Sequence, residues 1–146
     1  MLVSTLTAYA WETGRELSEV LFEGVDSTGN GILDFGEIHQ MSEDIAFSVD
    51  SDGDQLITLD EFRTYDFGFA YLAEAEGESE TFSAVERVMF AVADLDANGA
   101  IDEREWRLSS RWNFERADLD GNAVLTKQEF LNGWTPIVML KAGRSS

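Results

Sequence analysis

Four twelve-residue stretches of one pattern punctuate this chain of 146 residues. They begin at Asp26, Asp50, Asp94 and Asp118 and end at Glu37, Glu61, Glu105 and Glu129. Each has an aliphatic residue in eighth place: Leu33, Ile57, Ile101 and Leu125. Each is followed at once by an apolar residue: Ile38, Phe62, Trp106 and Phe130. Asp, Asn and Gly concentrated early in each stretch are turn formers and helix caps. A single such turn could be no more than a cap. Four copies with the same apolar eighth and thirteenth residues define an internal repeat, and the fold must bury that apolar pattern four times.

Charge makes the same demand from another side. The chain has 29 acidic and 10 basic residues, a formal charge of −19. That surplus excludes nucleic acid as a natural partner and disfavours an anionic membrane surface. Yet 44% of residues are hydrophobic and 12% aromatic, too many for an acidic disordered chain. The chain must fold while holding its negative charge, and cations resolve the conflict. There are no cysteines, which excludes disulfides, zinc–thiolate and iron–sulfur sites and a thiol nucleophile. No apolar run reaches the roughly 20 residues of a membrane helix, so no membrane insertion is expected. His39 is the only histidine and reads as an ordinary exposed helix residue. No enzyme activity is expected.

The stretches resemble the calcium-binding loop of the EF-hand family, D-x-[DN]-x-[DN]-G-x5-E. Asp94 to Glu105 matches at every specified place. Asp26 to Glu37 departs with Thr28 in third place, while Gln55 and Ala123 replace Gly in sixth place in the second and fourth stretches. Ca²⁺ is a hard cation that takes six to eight oxygens at about 2.3–2.6 Å. The resemblance implies up to four Ca²⁺ ions and names the ligands. In the first loop they are Asp26, Thr28, Asn30, the Ile32 carbonyl, Asp34 and Glu37. In the second they are Asp50, Asp52, Asp54, the Leu56 carbonyl, Thr58 and Glu61. The third offers Asp94, Asp96, Asn98, the Ala100 carbonyl, Asp102 and Glu105. The fourth offers Asp118, Asp120, Asn122, the Val124 carbonyl, Thr126 and Glu129. Carboxylate count and turn strain rank the third loop tightest and the fourth weakest, because a non-glycine residue in a left-handed turn costs about 1–2 kcal/mol.

The implied fold is all-α: one EF-hand helix-loop-helix domain over 1–146, with about six helices and pseudo-repeat halves 1–75 and 76–146. Phe22, Phe90 and Phe114 stand four residues before their loops as core residues, and the second loop has Ala46 there with Phe47 beside it. Leu17, Val20 or Leu21, and Val25 form the apolar face of a first helix opened by Thr13-Gly14-Arg15-Glu16. Phe62, Tyr65, Phe69 and Leu72 share a helical face and are assigned to the core, with Phe67 and Tyr71 on another face. Loop starts are 24, 44 and 24 residues apart. Only twelve residues, without Pro or Gly, separate the first two loops (Ile38 to Val49) and the last two (Trp106 to Ala117). As continuous helices these would be about 18 Å long, holding their two loops too far apart to pair. The longer 62–93 stretch, with a break at 76–80 and a capping box at Ser83-Ala84-Val85-Glu86, joins loop two to loop three. The pairing is therefore Ile57 beside Ile101 and Leu33 beside Leu125. Kinks near Ser42 and Ser109-Ser110 would instead pair neighbours along the chain. The close spacing is similar to that of lanmodulin-like bacterial EF-hand proteins, but their second-position Pro is replaced here by Ser27, Ser51, Leu95 and Leu119.

The expected function is calcium binding, as a buffer, modest sensor or structural module. The alternatives are a sensor engaging a protein partner through an apolar face and, behind it, a lanthanide-binding protein. Arg104, Arg107 and Arg111 are expected to form surface ion pairs. A monomer is expected. The location is expected to be cytoplasmic, or periplasmic or secreted if Ala8-Tyr9-Ala10 marks a cleaved leader.

Overall fold

The computed structural model describes residues 18–65, 73, 74, 77 and 79–134. Helix α1 covers residues 18–25. There follow β1 (Ile32–Asp34), α2 (Phe35–Val49), β2 (Ile57–Thr58) and α3 (Leu59–Thr64). Then come α4 (Ser79–Ala93), β3 (Ala100–Ile101), α5 (Glu103–Ala117), β4 (Val124–Thr126) and α6 (Lys127–Gly133). This is the all-α EF-hand helix-loop-helix fold. Its only strands among the described residues are the short ones inside the loops.

Each loop starts the helix that follows it. Asp34, Thr58, Asp102 and Thr126, all in ninth place, cap α2, α3, α5 and α6. In each case the cap side chain accepts from the amide of the twelfth residue, whose Glu carboxylate reaches back to the cap amide. That reciprocal capping box satisfies two orphan donors of the first turn.

Helices α2 and α5 are each continuous over 15 residues, about 22 Å. Neither Ser42 nor Ser109-Ser110 breaks them. The loops at the two ends of each helix accordingly find partners in the other half of the chain. β1 pairs antiparallel with β4, placing Leu33 opposite Leu125. β2 pairs with β3, placing Ile57 opposite Ile101. All four aliphatic residues are buried, Leu33 and Leu125 completely. Because loop one meets loop four and loop two meets loop three, α2 and α5 run antiparallel, with one ribbon at each end.

The core connects both ends. Phe22, Phe90 and Phe114 are buried in it as the repeat implies. Phe130 packs on Phe22 and stacks with Trp134. In the second loop Ala46 packs against the core, while Phe47 is 86% exposed. In α1, Val25 is buried and Leu21 packs on the core, whereas Val20 faces outward. The helix between loops one and two is fastened at its middle to the helix between loops three and four. Trp106 Nε1 donates to the Ser42 carbonyl at 2.8 Å, and Arg107 forks onto Glu43 and also pairs with Glu103. Arg111 pairs with Glu115 one turn on, so Arg107 and Arg111 form surface ion pairs as expected, whereas Arg104 makes none among the described residues. His39 stacks on Phe35.

Two expectations are corrected. Ser83-Ala84-Val85-Glu86 does not open a helix, because α4 already begins at Ser79, after a turn in which Gly77 takes φ 75°. Ser83 Oγ instead accepts from Arg63, and buried Glu86 lies beside the same guanidinium. Tyr65 is not a core residue: α3 ends at Thr64, and Tyr65 is 36% exposed. Phe62 is packed as expected, edge-on to Phe90. Leu17, Phe67, Phe69, Tyr71, Leu72 and the 13–16 capping box lie outside the described residues.

Candidate metal centre

Within each loop the backbone folds around its own first side chain. One oxygen of Asp26, Asp50, Asp94 and Asp118 accepts from the amide of the fifth residue. The other accepts from the amide of the sixth, at 2.8–2.9 Å. The fifth side chain (Asn30, Asp54, Asn98 or Asn122) accepts from the amide of the seventh. That bond orients the peptide of Ile32, Leu56, Ala100 and Val124. The third side chains Asp52, Asp96 and Asp120 accept from the fifth amide as well.

Such tight curling needs left-handed backbone at two places per loop. In sixth place Gly31 and Gly99 adopt it, and so do Gln55 and Ala123, at φ 69° and 66°. The fourth position is left-handed too. Gly29, Gly53 and Gly121 occupy it, but the third loop has Ala97 there at φ 57°. The motif match therefore concealed a strained residue in the loop that fits it best. Each of loops two, three and four carries one non-glycine left-handed residue. Turn strain thus does not separate the third loop from the second and fourth, and that part of the ranking is corrected.

The twelfth residue closes each loop. Glu37, Glu61, Glu105 and Glu129 turn inward, accepting from amides near the loop start and from the ninth residue. Three carboxylate groups result, each with one oxygen per residue within 4.8 Å of the others: Asp50–Asp52–Glu61, Asp94–Asp96–Glu105 and Asp118–Asp120–Glu129. The first loop brings Asp26 and Glu37 to corresponding places, but Thr28 supplies a hydroxyl, which donates to Asp26. Asp34, Thr58, Asp102 and Thr126, read from the sequence as ligands, also serve as helix caps. The sequence reading missed that role, although S/T/D-x-x-E at the ninth to twelfth positions carries its signature.

Electrostatics grade these groups. The third is the most enclosed, with Glu105 2% and Asp94 9% exposed. Among the described residues no ion pair reaches Asp94, Asp96 or Glu105. The Thr58 amide, foremost, and the Thr58 and Ser51 hydroxyls hold Glu61 down to a pKa of about 2. The Thr126 amide chiefly lowers Glu129, and the Gly31 amide chiefly lowers Asp26. Asp52 goes the other way. The Asp54 amide favours its charge, but desolvation and the charges of Asp54 and Glu61 outweigh that and raise it. That is the mark of like charges held together without a counterion.

The donor set is entirely oxygen, with no imidazole or thiolate, which suits a hard divalent cation. A family model described as EF hand matches residues 86–108, from the middle of α4 through the third loop into α5. No curated protein and no solved structure matches the chain.

Proposed function

We propose that this protein binds Ca²⁺ through its four loops, without catalysis, as a buffer or Ca²⁺-stabilised module rather than a wide-opening sensor. One observation carries the reading: in the third loop buried Asp94 and Glu105 converge with exposed Asp96 without a basic partner. Burying carboxylates unpaired is costly, and a divalent cation removes that cost. Asp94, Asp96, Asn98 and Glu105 would hold the ion there. Asp50, Asp52, Asp54 and Glu61 would do so in the second loop, and Asp118, Asp120, Asn122 and Glu129 in the fourth. The first loop, with Asp26, Asn30, Asp34 and Glu37, has three carboxylates, as many as the fourth, and a Thr28 hydroxyl in third place. Ca²⁺ is preferred over Mg²⁺ because Mg²⁺ demands tighter octahedral geometry and gives up its water reluctantly. Four divalent ions would bring the net charge from −19 to −11, so binding and folding are coupled. The absence of Pro at the second loop positions favours Ca²⁺ over lanthanides. A monomer in the cytoplasm fits this reading.

Calorimetric titration with Ca²⁺, Mg²⁺ and La³⁺ tests it. Ca²⁺ should bind more tightly than Mg²⁺, Glu105→Gln should remove a high-affinity event, and chelator should lower the melting temperature by ten degrees or more on a scale of about 3 °C per kcal/mol. Titrations without heat and melting curves indifferent to chelator would sink the proposal. A dye for exposed apolar surface separates buffer from sensor. A large Ca²⁺-dependent rise would favour a protein partner on an apolar face.

A further inference from the structure

The four loops differ in how they hold the closing glutamate, and the second stands apart. Glu61 Oε1 accepts from the Ser51 amide at 3.0 Å and the Ser51 hydroxyl at 3.1 Å. Its Oε2 accepts from the Thr58 amide and the Thr58 hydroxyl, both at 2.9 Å. Each carboxylate oxygen is thus gripped by an amide and a hydroxyl of one residue, the second residue of the loop on one side and the ninth on the other, and Oε1 also takes the Asp52 amide at 3.4 Å. The first loop has a hydroxyl on one side only, Ser27 at 3.2 Å from Glu37. The fourth has one on the opposite side only, Thr126 at 3.0 Å from Glu129. The third has neither, because Leu95 and Asp102 stand at those positions.

We infer that Ser51 and Thr58 are positioning residues that preset Glu61 for the cation and so offset the unfavourable Gln55 turn of the second loop. The inference rests on the calcium reading above. Both oxygens of a closing glutamate must face the ion. A free glutamate side chain samples several rotamers, and fixing it opposes binding. In the second loop the carboxylate is already turned inward. Thr58 has a second task, since its Oγ1 also accepts from the Glu61 amide as helix cap. Ser51 has no such task, which makes it the cleaner probe.

The test is a Ca²⁺ titration of the full chain followed by NMR, comparing the natural protein with Ser51→Ala and Ser51→Thr. The Gln55 amide, on Asp50 at 2.9 Å, reports the second loop. The Ala123 amide, on Asp118, reports the fourth in the other ribbon. Ser51→Ala should raise the Ca²⁺ concentration at half-shift of Gln55 about three- to tenfold, the range expected from freeing part of one glutamate's rotamers. It should leave Ala123 unchanged, and Ser51→Thr should restore the natural value. In chelated protein the Thr58 amide of Ser51→Ala should exchange faster with solvent, a readout that needs no metal. Equal or tighter binding at Gln55 in Ser51→Ala would overturn the inference and leave the calcium reading standing. No Ca²⁺-dependent shift at Gln55 in the natural protein would overturn both.

Discussion

Ala97 offers the sharpest test of the backbone argument. It sits in fourth place of the third loop at φ 57°, where the other three loops have glycine. The left-handed conformation costs an alanine about 1–2 kcal/mol. Against that, glycine loses about 0.5–1 kcal/mol more than alanine on leaving the unfolded chain. Ala97→Gly should therefore stabilise the protein by about 0.5–1 kcal/mol, the difference of those two effects. Side-chain contacts do not confuse the sign: at the equivalent Gly29, Gly53 and Gly121 an added Cβ would meet nothing within 4 Å. Urea unfolding is the assay. With a slope near 2 kcal/mol per molar, the midpoint should rise by about 0.3–0.5 M. Gly121→Ala should lower it by a similar amount. Because the two loops lie in different ribbons, the effects should add in the double variant. If the turn exists without metal, the gain is the same in chelator and in Ca²⁺; if metal forms the turn, the gain moves into affinity. A midpoint that falls in both conditions would mean that the unfolded-state entropy of glycine is the larger effect and that the strain argument is wrong.

Three further outcomes follow from named contacts. Leu33→Ala, at a fully buried ribbon residue, should cost about 3 kcal/mol in chemical denaturation; a double-mutant cycle should couple it to Leu125→Ala by about 1 kcal/mol but leave it additive with Ile57→Ala. Trp106→Phe removes the indole donor to the Ser42 carbonyl and should cost about 1 kcal/mol, read from the same unfolding curves. Finally, the fold lowers the Glu61 pKa from 4.5 to about 2, so its ionised form favours the folded state. That stabilisation is whole above pH 4.5 and is lost as pH falls towards 2. In chelated protein Glu61→Gln should flatten this part of the stability–pH curve, and an unchanged curve would count against the hydrogen bonds that hold the carboxylate.

Much of this fold could be read from the sequence because one repeat carries it. The aliphatic eighth residues announced the ribbons, and the twelve-residue separations without Pro or Gly announced α2 and α5. With the helix-turn-helix length of the 62–93 connection, they led to Leu33 opposite Leu125 and Ile57 opposite Ile101. What could not be read was conformation that no motif letter records. The motif specifies glycine in sixth place and leaves the fourth open, so Ala97 passed unnoticed although its backbone is as left-handed as that of Gln55. The ninth residues were read for their oxygens alone, yet a helix begins directly after each and needs its amides capped. Ser83-Ala84-Val85-Glu86 has the letters of a capping box, but a helix starts where its neighbours allow. The Gly77 turn lets α4 begin at Ser79, while Ser83 and Glu86 face Arg63. Periodicity placed Tyr65 in the core but could not show that α3 would stop one residue earlier.

The shared helices constrain how this molecule can respond to a cation. In an EF-hand sensor, opening requires the helices around a loop to swing apart. Here the helix leaving loop one is the helix entering loop two, and the one leaving loop three enters loop four. A swing of α2 at the loop-one end must displace its other end, where β2 is hydrogen-bonded to β3. The same holds for α5, whose far end adjoins the β1–β4 ribbon. Between those ends, Ser42 is tied to Trp106 and Glu43 to Arg107. Neither ribbon can therefore open as an independent lobe. It must carry the other with it, repack the α2–α5 crossing, or stay nearly still. Staying still needs no broken contact. On the proposed calcium reading, charge neutralisation within the loops would then appear as stability rather than as newly exposed surface, which supports the proposal of a buffer or stabilised module over a wide-opening sensor.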